Sequence, residues 1–413
     1  MKQIFSILFL FVTCSASATR IEVGYNKLFT SIRKAIEAAS TGDTVLVYGG
    51  VYREGNILLQ KSISLIGLDE PVLDGESRYE ILTISGTDIL VKGFLFRNSG
   101  YSSLNDYAAI GVIDARFIMV ENNRVEHSYF AIHFANSTHC IIQNNIIKGT
   151  PRSEQTSGNG IHLWKCDDIL VEGNNVQGHR DGIYFEFVTN SSIENNYSHN
   201  NIRYGLHFMF SNDDAYLQNN FFENGSGVAV MYSHRVLMLK NTFEHNWGPS
   251  AYGILLKEIS DAQILDNHFI RNTAAIVMES TNRLELALND FKSNGWALRI
   301  QASCDESTIH HNDFSGNTFD VATNGTMMLN KFYRNYWDRY EGYDLNRDGR
   351  GDVPYHPVSM YSMVVEQNPN SLILLRSFMV SLLDKAEKAI PSLTPENLVD
   401  VEPLMKKINH DPN

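Results

Sequence analysis

The chain is expected to be all-β: a right-handed parallel β-helix with an N-terminal capping helix and a C-terminal helical extension. Three observations carry this expectation. The sequence repeats with a period of roughly 22 residues, each copy opens with a short β-type run, and Asn recurs at matching places between the runs. Asn is abundant at 39 residues while Pro is scarce at 10, which suits regular structure punctuated by Asn turns.

Along the chain, residues 1–18 read first as a secretory leader: Lys2, an apolar stretch from Ile4 to Val12, and Ala16-Ser17-Ala18 before the cut. That stretch is too short to span a bilayer. Removal of the leader takes Cys14 with it and leaves Cys140, Cys166 and Cys304, an odd set that implies no disulfide framework. Phe29 to Ala39 follows as an amphipathic helix on Ile32, Ala35, Ile36 and Ala39, then a strand from Val45 to Tyr48. A helix placed there covers the open strand edges at the end of a solenoid. The cap is assigned to 19–50 and the β-helix to 19–340.

The repeat begins with Ala131-Ile132-His133-Phe134, Gly160-Ile161-His162-Leu163 and Gly182-Ile183-Tyr184-Phe185. It continues with Gly205-Leu206-His207-Phe208, Gly227-Val228-Ala229-Val230 and Gly253-Ile254-Leu255-Leu256, then on to Ala297-Leu298-Arg299-Ile300. The Asn positions taken as equivalent are Asn123, Asn145, Asn174, Asn195, Asn220, Asn241, Asn267, Asn289, Asn312 and Asn330. Stacked in turns, their amides would form a ladder along the axis, as in a pectin-lyase-like solenoid. About a dozen rungs spaced roughly 4.8 Å apart are expected. Beyond the rod, 341–370 reads as a polar Asp/Gly loop and linker. Ser371 to Ile390 reads as an amphipathic helix within a C-terminal segment, 371–413.

Strand alternation converts the repeat into a surface map. One outward column is His133, His162, Tyr184, His207, Ala229 and Leu255, and its neighbour is Ala135, Trp164, Glu186, Met209, Met231 and Lys257. His207, Met209 and Met231 therefore gather an imidazole and two thioethers, a donor set suited to soft Cu(I) rather than to hard ions. His162 and Glu186 lie beside them, with Glu186 placed to orient His162 or His207. Asp344, Asn346, Asp348 and Asp352 resemble the opening of a calcium loop, yet Tyr355 stands where an EF-hand needs Glu.

The acidic balance, 34 Lys+Arg against 47 Asp+Glu for a net charge of -13, argues against a nucleic-acid partner. Parallel β-helices also include polysaccharide lyases, hydrolases and epimerases, the alternative reading here. A hydrolase needs paired carboxylates, and Glu186 has no second one in its column.

The strings Gly178-His179-Arg180-Asp181-Gly182-Ile183-Tyr184-Phe185-Glu186-Phe187 and Arg203-Tyr204-Gly205-Leu206-His207-Phe208-Met209-Phe210-Ser211 resemble the NosD family. So do Asn246-Trp247-Gly248-Pro249, Asn335-Tyr336-Trp337-Asp338 and the stretch from Pro369 to Phe378. The resemblance implies a non-enzymatic periplasmic accessory in maturation of nitrous oxide reductase, a denitrification enzyme. It implies docking on an ABC transporter of permease and ATPase subunits, and copper arriving from a membrane-anchored chaperone for the copper-sulfide site of the apo-reductase. ATP hydrolysis would then belong to a partner. In that setting the Cu(I) strip acquires a cargo, and Leu375, Phe378, Met379 and Leu382 become the transporter-docking face.

Overall fold

The computed structural model describes residues 18–102, 106–151, 153–325, 329–390, 395 and 398–408, so the expected leader, save Ala18, lies outside it. The chain winds as a parallel β-helix in which a full turn lays down three strands. In one central turn these are Tyr204–Met209, Ala215–Leu217 and Asn220–Phe222. Each pairs in parallel with its equivalents one turn before and after. The third strands form a sheet of 13. First and second strands merge into a sheet of 24, because Leu82–Lys92 and Ala108–Glu121 run through both positions in the early turns.

The apolar residues of each strand stack on like residues along the axis. Ile183, Leu206, Val228, Ile254, Ile276 and Leu298 form one fully buried column. Phe221, Phe243, Phe269, Phe291, Phe314 and Trp337 form another, with successive ring centroids 5.4, 4.8, 4.9, 4.8 and 4.1 Å apart. Offset-stacked aromatic pairs add to the burial of their area.

Asn fills the corner that leads into the third strand. Asn241 Oδ1 accepts both the backbone N–H and the side-chain amide of Asn219, at 2.9 and 3.0 Å. Its own amide donates to the Tyr216 carbonyl at 2.9 Å and to Asn267 Oδ1 at 3.0 Å. Both amide donors and the carbonyl oxygen are used, so each buried side chain is satisfied. The ladder runs Asn123, Asn145, Asn174, Asn196, Asn219, Asn241, Asn267, Asn289, Asn312, Asn335. Three expected members are thus corrected: Asn195 and Asn220 give way to their neighbours, and Asn330 to Asn335. Asn195 instead takes the left-handed turn, at φ 54°, and Asn330 accepts the Ser307 N–H at a different corner. A second ladder, unforeseen, runs through Asn201, Asn224, Asn246, Asn272, Asn294 and Asn317 where the third strand ends.

Both ends are closed. Helix α1 (Ile32–Ala38) buries Ile32, Ala35 and Ile36 as expected and is capped by Ser31. Glu54 accepts from the Ser31 hydroxyl and from the backbone N–H groups of Ile32 and Arg33, an anion where the helix dipole favours one. At the far end Asp400 takes the place of the next ladder Asn. It accepts from the Asn335 backbone and amide and from Trp337 Nε1, each at 3.0 Å.

The C-terminal segment differs from its expected layout in two ways. The stretch assigned to a linker contains α2 (Met360–Gln367), capped by Ser359 and packed on strand Phe319–Thr323 through Tyr361 and Val365. Its Glu366 pairs bidentately with Arg299 at 2.9 and 3.0 Å. The expected single helix from 371 to 390 is split: Pro369–Leu374 is a 3₁₀ turn, Arg376 is left-handed at φ 65°, and α3 spans Phe378–Ala389. Pro369 opens the 3₁₀ turn, the split follows at Leu375 and Arg376, and Ser377 starts the second helix as its cap. Residues 398–408 then return to the rod, where Glu402 pairs with Arg334 and Arg350.

Asp214 is one of several carboxylates buried in the molecule, with Asp181, Asp320 and Asp400. It is 2% exposed; Oδ1 accepts the Ser191 N–H at 2.7 Å, whereas Oδ2 has no partner among the described residues. Burial pushes its carboxyl up from 3.8 to about 8. A raised folded-state value means that the folded chain holds a proton the unfolded chain releases, so stability falls as pH rises from 3.8 towards 8. Asp214→Asn should remove this slope. Its thermal midpoint should gain on the parent between pH 5 and 8, by the equivalent of about 4 kcal/mol; an offset independent of pH would contradict the assignment.

Candidate functional site

Five successive first-position strands build the face singled out by the sequence: Phe130–Ala135, Ile161–Trp164, Asp181–Glu186, Tyr204–Met209 and Ser226–Met231. Their register pairs His133 with His162, His162 with Tyr184, Tyr184 with His207, and His207 with Ala229. The neighbouring column pairs Ala135 with Trp164, then Glu186, Met209 and Met231, and Lys257 beyond. Both columns therefore stand as the repeat places them, and His162, Glu186, His207, Met209 and Met231 share one face over four strands.

What alternation does not convey is that the first column is nearly dry. Its rings stack: His133 on His162 at 4.9 Å, His162 on Tyr184 at 4.8 Å, and Tyr184 on His207 at 4.4 Å. Phe130 and Tyr204 close over the two ends, 5.7 Å from His162 and 5.0 Å from His207. His162 and His207 are each only 7% exposed. Burial, with His162 beside it, pushes the His133 imidazole down to about 3, so that ring is neutral at physiological pH.

Polar contacts divide the histidines. Neither ring nitrogen of His162 has a hydrogen-bond partner among the described residues. Glu186 faces its Nε2 across 3.8 Å, longer than a hydrogen bond, and the attraction to His162 holds the Glu186 carboxyl below its usual value. The Tyr184 hydroxyl donates to Met209 Sδ at 3.7 Å, tying one column to the other. His207 is held differently. Its Nδ1 lies 3.4 Å from Asp181 Oδ2 and 3.1 Å from Arg203 Nη2. Arg203 in turn grips Asp181 with two hydrogen bonds, 2.9 Å to Oδ1 and 2.7 Å to Oδ2. Burial raises the Asp181 carboxyl, but hydrogen bonds from His207 and Arg203 outweigh it and leave the group below its usual value.

Glu186, the expected orienting carboxylate, thus lies beside His162 beyond hydrogen-bond distance, and Asp181 lies nearer to His207. Asp181 and Arg203 were not among the expected site residues. Their signal in the sequence is an Asp that opens an apolar strand and an Arg 22 residues later, one turn down the rod.

Copper would be cargo here, and the donors present suit it. A buried imidazole with two unsatisfied nitrogens carries a desolvation cost that a bound ion relieves. Thioether sulfur and neutral imidazole are ligands for a soft monovalent ion. Thiolate is absent from the face: Cys140 and Cys166 are buried elsewhere, and burial pushes their thiols up to about 11 and about 12.

The Asp-rich loop is arranged otherwise. Asp344 accepts the backbone N–H groups of Asp348 and Gly349, Asn346 that of Asp348, and Asp352 that of Leu345. Asp348 accepts from Arg350 N at 2.9 Å. These oxygens shape the loop, and among the described residues no three His, Cys, Asp or Glu side chains converge as a metal cluster. In the C-terminal segment Phe378 is 82% exposed, Met379 56%, Leu382 49% and Leu375 38%. Among the described side chains of α3 only Val380 is buried, against Phe319, Tyr361 and Val365. None of the helices among the described residues is long and apolar enough to cross a membrane.

Among solved structures the chain is similar to PfbA, a surface adhesin of Streptococcus pneumoniae (14% identity, TM-score 0.51, 74% of this chain and 86% of that one). It is also similar to the catalytic unit of a GH87 α-1,3-glucanase from Streptomyces thermodiastaticus (14% identity, TM-score 0.60, 74% and 65%). At such identities the likeness is one of fold. Two curated relatives are each described as "Probable ABC transporter binding protein NosD". The one from Pseudomonas aeruginosa is 28% identical over 85% of this chain and 86% of its own, and that from Stutzerimonas stutzeri 26% over 86% and 85%. A family model described as "Periplasmic copper-binding protein (NosD)" matches residues 148–344, which include His162, Glu186, His207, Met209 and Met231 but not His133. That match covers just under half of the chain, and the two relatives align along most of their length, so the chain is similar to NosD proteins over most of its extent.

Proposed function

We propose that this protein is a copper carrier in the assembly of nitrous oxide reductase. It takes Cu(I) from a membrane-anchored chaperone and passes it to the apo-reductase for the copper-sulfide site while docked on an ABC transporter. His207, Met209 and Met231 are the transient ligands, with His162 and Glu186 completing the face. The observation that carries this is the register: Met231 lies directly beside Met209, which lies beside Glu186, with His207 two residues before Met209 on the same strand.

A carrier must release its ion, and thioethers without thiolate bind Cu(I) without locking it in place. The stacked, largely buried imidazoles keep water from competing at the same face. The polysaccharide-enzyme alternative finds less support, since Glu186 has Trp164 and Met209 as register neighbours and Asp181 is clamped by Arg203. That leaves no free pair of carboxylates on this face. Anaerobic titration with Cu(I) against a competing chelator should show stoichiometric binding by the parent chain. Met209→Ala/Met231→Ala should weaken it at least tenfold without changing the β-type circular dichroism. No binding by the parent would leave a scaffold rather than a carrier.

For docking on the permease and ATPase subunits, α3 is the proposed element, because Phe378, Met379 and Leu382 present an apolar surface that the rod does not cover. Removing 371–413 would be a poor test, since Asp400 and Glu402 would go too and uncap the ladder at Asn335. Phe378→Asp/Leu382→Asp alters only exposed side chains. It should abolish co-purification with the transporter while leaving the thermal midpoint within a degree or two; undiminished association would place the docking surface elsewhere.

A further inference from the structure

We infer that Asp181, clamped by Arg203, is a positioning residue that fixes His207 with its proton on Nδ1 and leaves the Nε2 lone pair for Cu(I). The inference rests on the copper-carrier function proposed above and adds to it the group that makes His207 a ligand.

The geometry around Nδ1 offers two partners with opposite demands. A proton on Nδ1 can be donated to Asp181 Oδ2, 3.4 Å away. A bare Nδ1 can instead accept from Arg203 Nη2, 3.1 Å away. A neutral imidazole satisfies one or the other, and the choice decides which nitrogen carries the free lone pair. Only the Asp181 arrangement leaves Nε2 bare. Asp181 is fully buried, and Arg203 fixes it through both carboxylate oxygens. It therefore presents Oδ2 at a set place instead of sampling solvent. A carboxylate behind a ligating imidazole fixes both ring orientation and tautomer and raises ligand basicity.

Arg203 has two roles in this arrangement. Through Nε and Nη2 it holds Asp181 in place, and through Nη2 it competes for the same Nδ1. An ion arriving at Nε2 meets a bare lone pair, because Nε2 cannot carry a proton and a metal together and Asp181 already holds the proton at Nδ1. The ion can leave again without any shift of that proton, as a transfer site requires. His162, with its ring nitrogens unpartnered and Glu186 at 3.8 Å, has no such clamp.

The test uses the full-length chain with isotopically labelled histidine. The His207 ring is assigned through its loss in His207→Ala, and long-range proton–nitrogen correlations are recorded at about pH 8, where a free imidazole is neutral. On addition of Cu(I) the parent should show Nδ1 protonated and Nε2 metal-bound. Asp181→Asn should move the metal-free ring toward the Nε2-protonated form and lower Cu(I) affinity roughly 10–100-fold. If Asp181→Asn fails to fold, with Arg203 left buried and unpaired, Asp181→Asn/Arg203→Gln removes the stranded charge, and the lowered Cu(I) affinity remains the expected result. An unchanged tautomer and unchanged affinity in whichever variant folds would overturn the inference. A parent chain that binds no Cu(I) would instead overturn the carrier function, while the metal-free spectra of parent and variant would still decide what Asp181 does to His207.

Discussion

The amide of a buried asparagine is the interaction on which this molecule depends. It can accept two hydrogen bonds and donate two along one line, so a column of identical side chains satisfies itself from end to end. Asn219, Asn241 and Asn267 show the unit that is repeated along the rod. Because the ladder ties each turn to the next at one corner, every strand that follows is fixed in register. A one-residue slip would strand a buried amide and turn each apolar side chain outward. Varying turn lengths, such as the 29 residues between Asn145 and Asn174, are absorbed in loops without disturbing the register.

That register is what gives the functional face its chemistry. Residues remote in sequence become neighbours at the spacing of adjacent strands, and like side chains stack on like. On the inner face this yields the phenylalanine column; on the outer face it yields the run from His133 through Tyr184 to His207. The outer stack has an unusual effect for a solvent-facing sheet: it buries imidazoles against one another. Their nitrogens are thereby partly deprived of water, and the thioethers of Met209 and Met231 lie alongside. Soft ligation gains from such surroundings, whereas exposed imidazole would remain hydrated and readily protonated.

Much of this could be read from residues alone, for a physical reason. In a parallel solenoid the period and the alternation of side chains are local, so the columns around His207 and Met209 follow once the repeat is aligned. The ladder was harder to place, because Asn195-Asn196 and Asn219-Asn220 each offer two amides and only burial distinguishes them. The rule that would have chosen correctly is that the residue two positions on must point inward, as Ser198 and Phe221 do. The dryness of the outer stack and the clamp of Asp181 by Arg203 depend on side chains meeting across a turn, which no local pattern records. The layout beyond Trp337, with α2 on the rod and Asp400 in the ladder, depends on a segment folding back over more than sixty residues.

The return of the tail has a mechanical meaning. Val358 bridges to Val321 and Asp400 bridges to Phe332, so the stretch bearing α3 leaves the last turns of the rod and comes back to them. It is a strap anchored at both ends. A tug on α3 is divided between two anchors, one of which is the carboxylate that terminates the asparagine column. Load applied to the exposed helix is delivered to the last turns of the rod and, through Asp400, to the asparagine column that ties all the turns together.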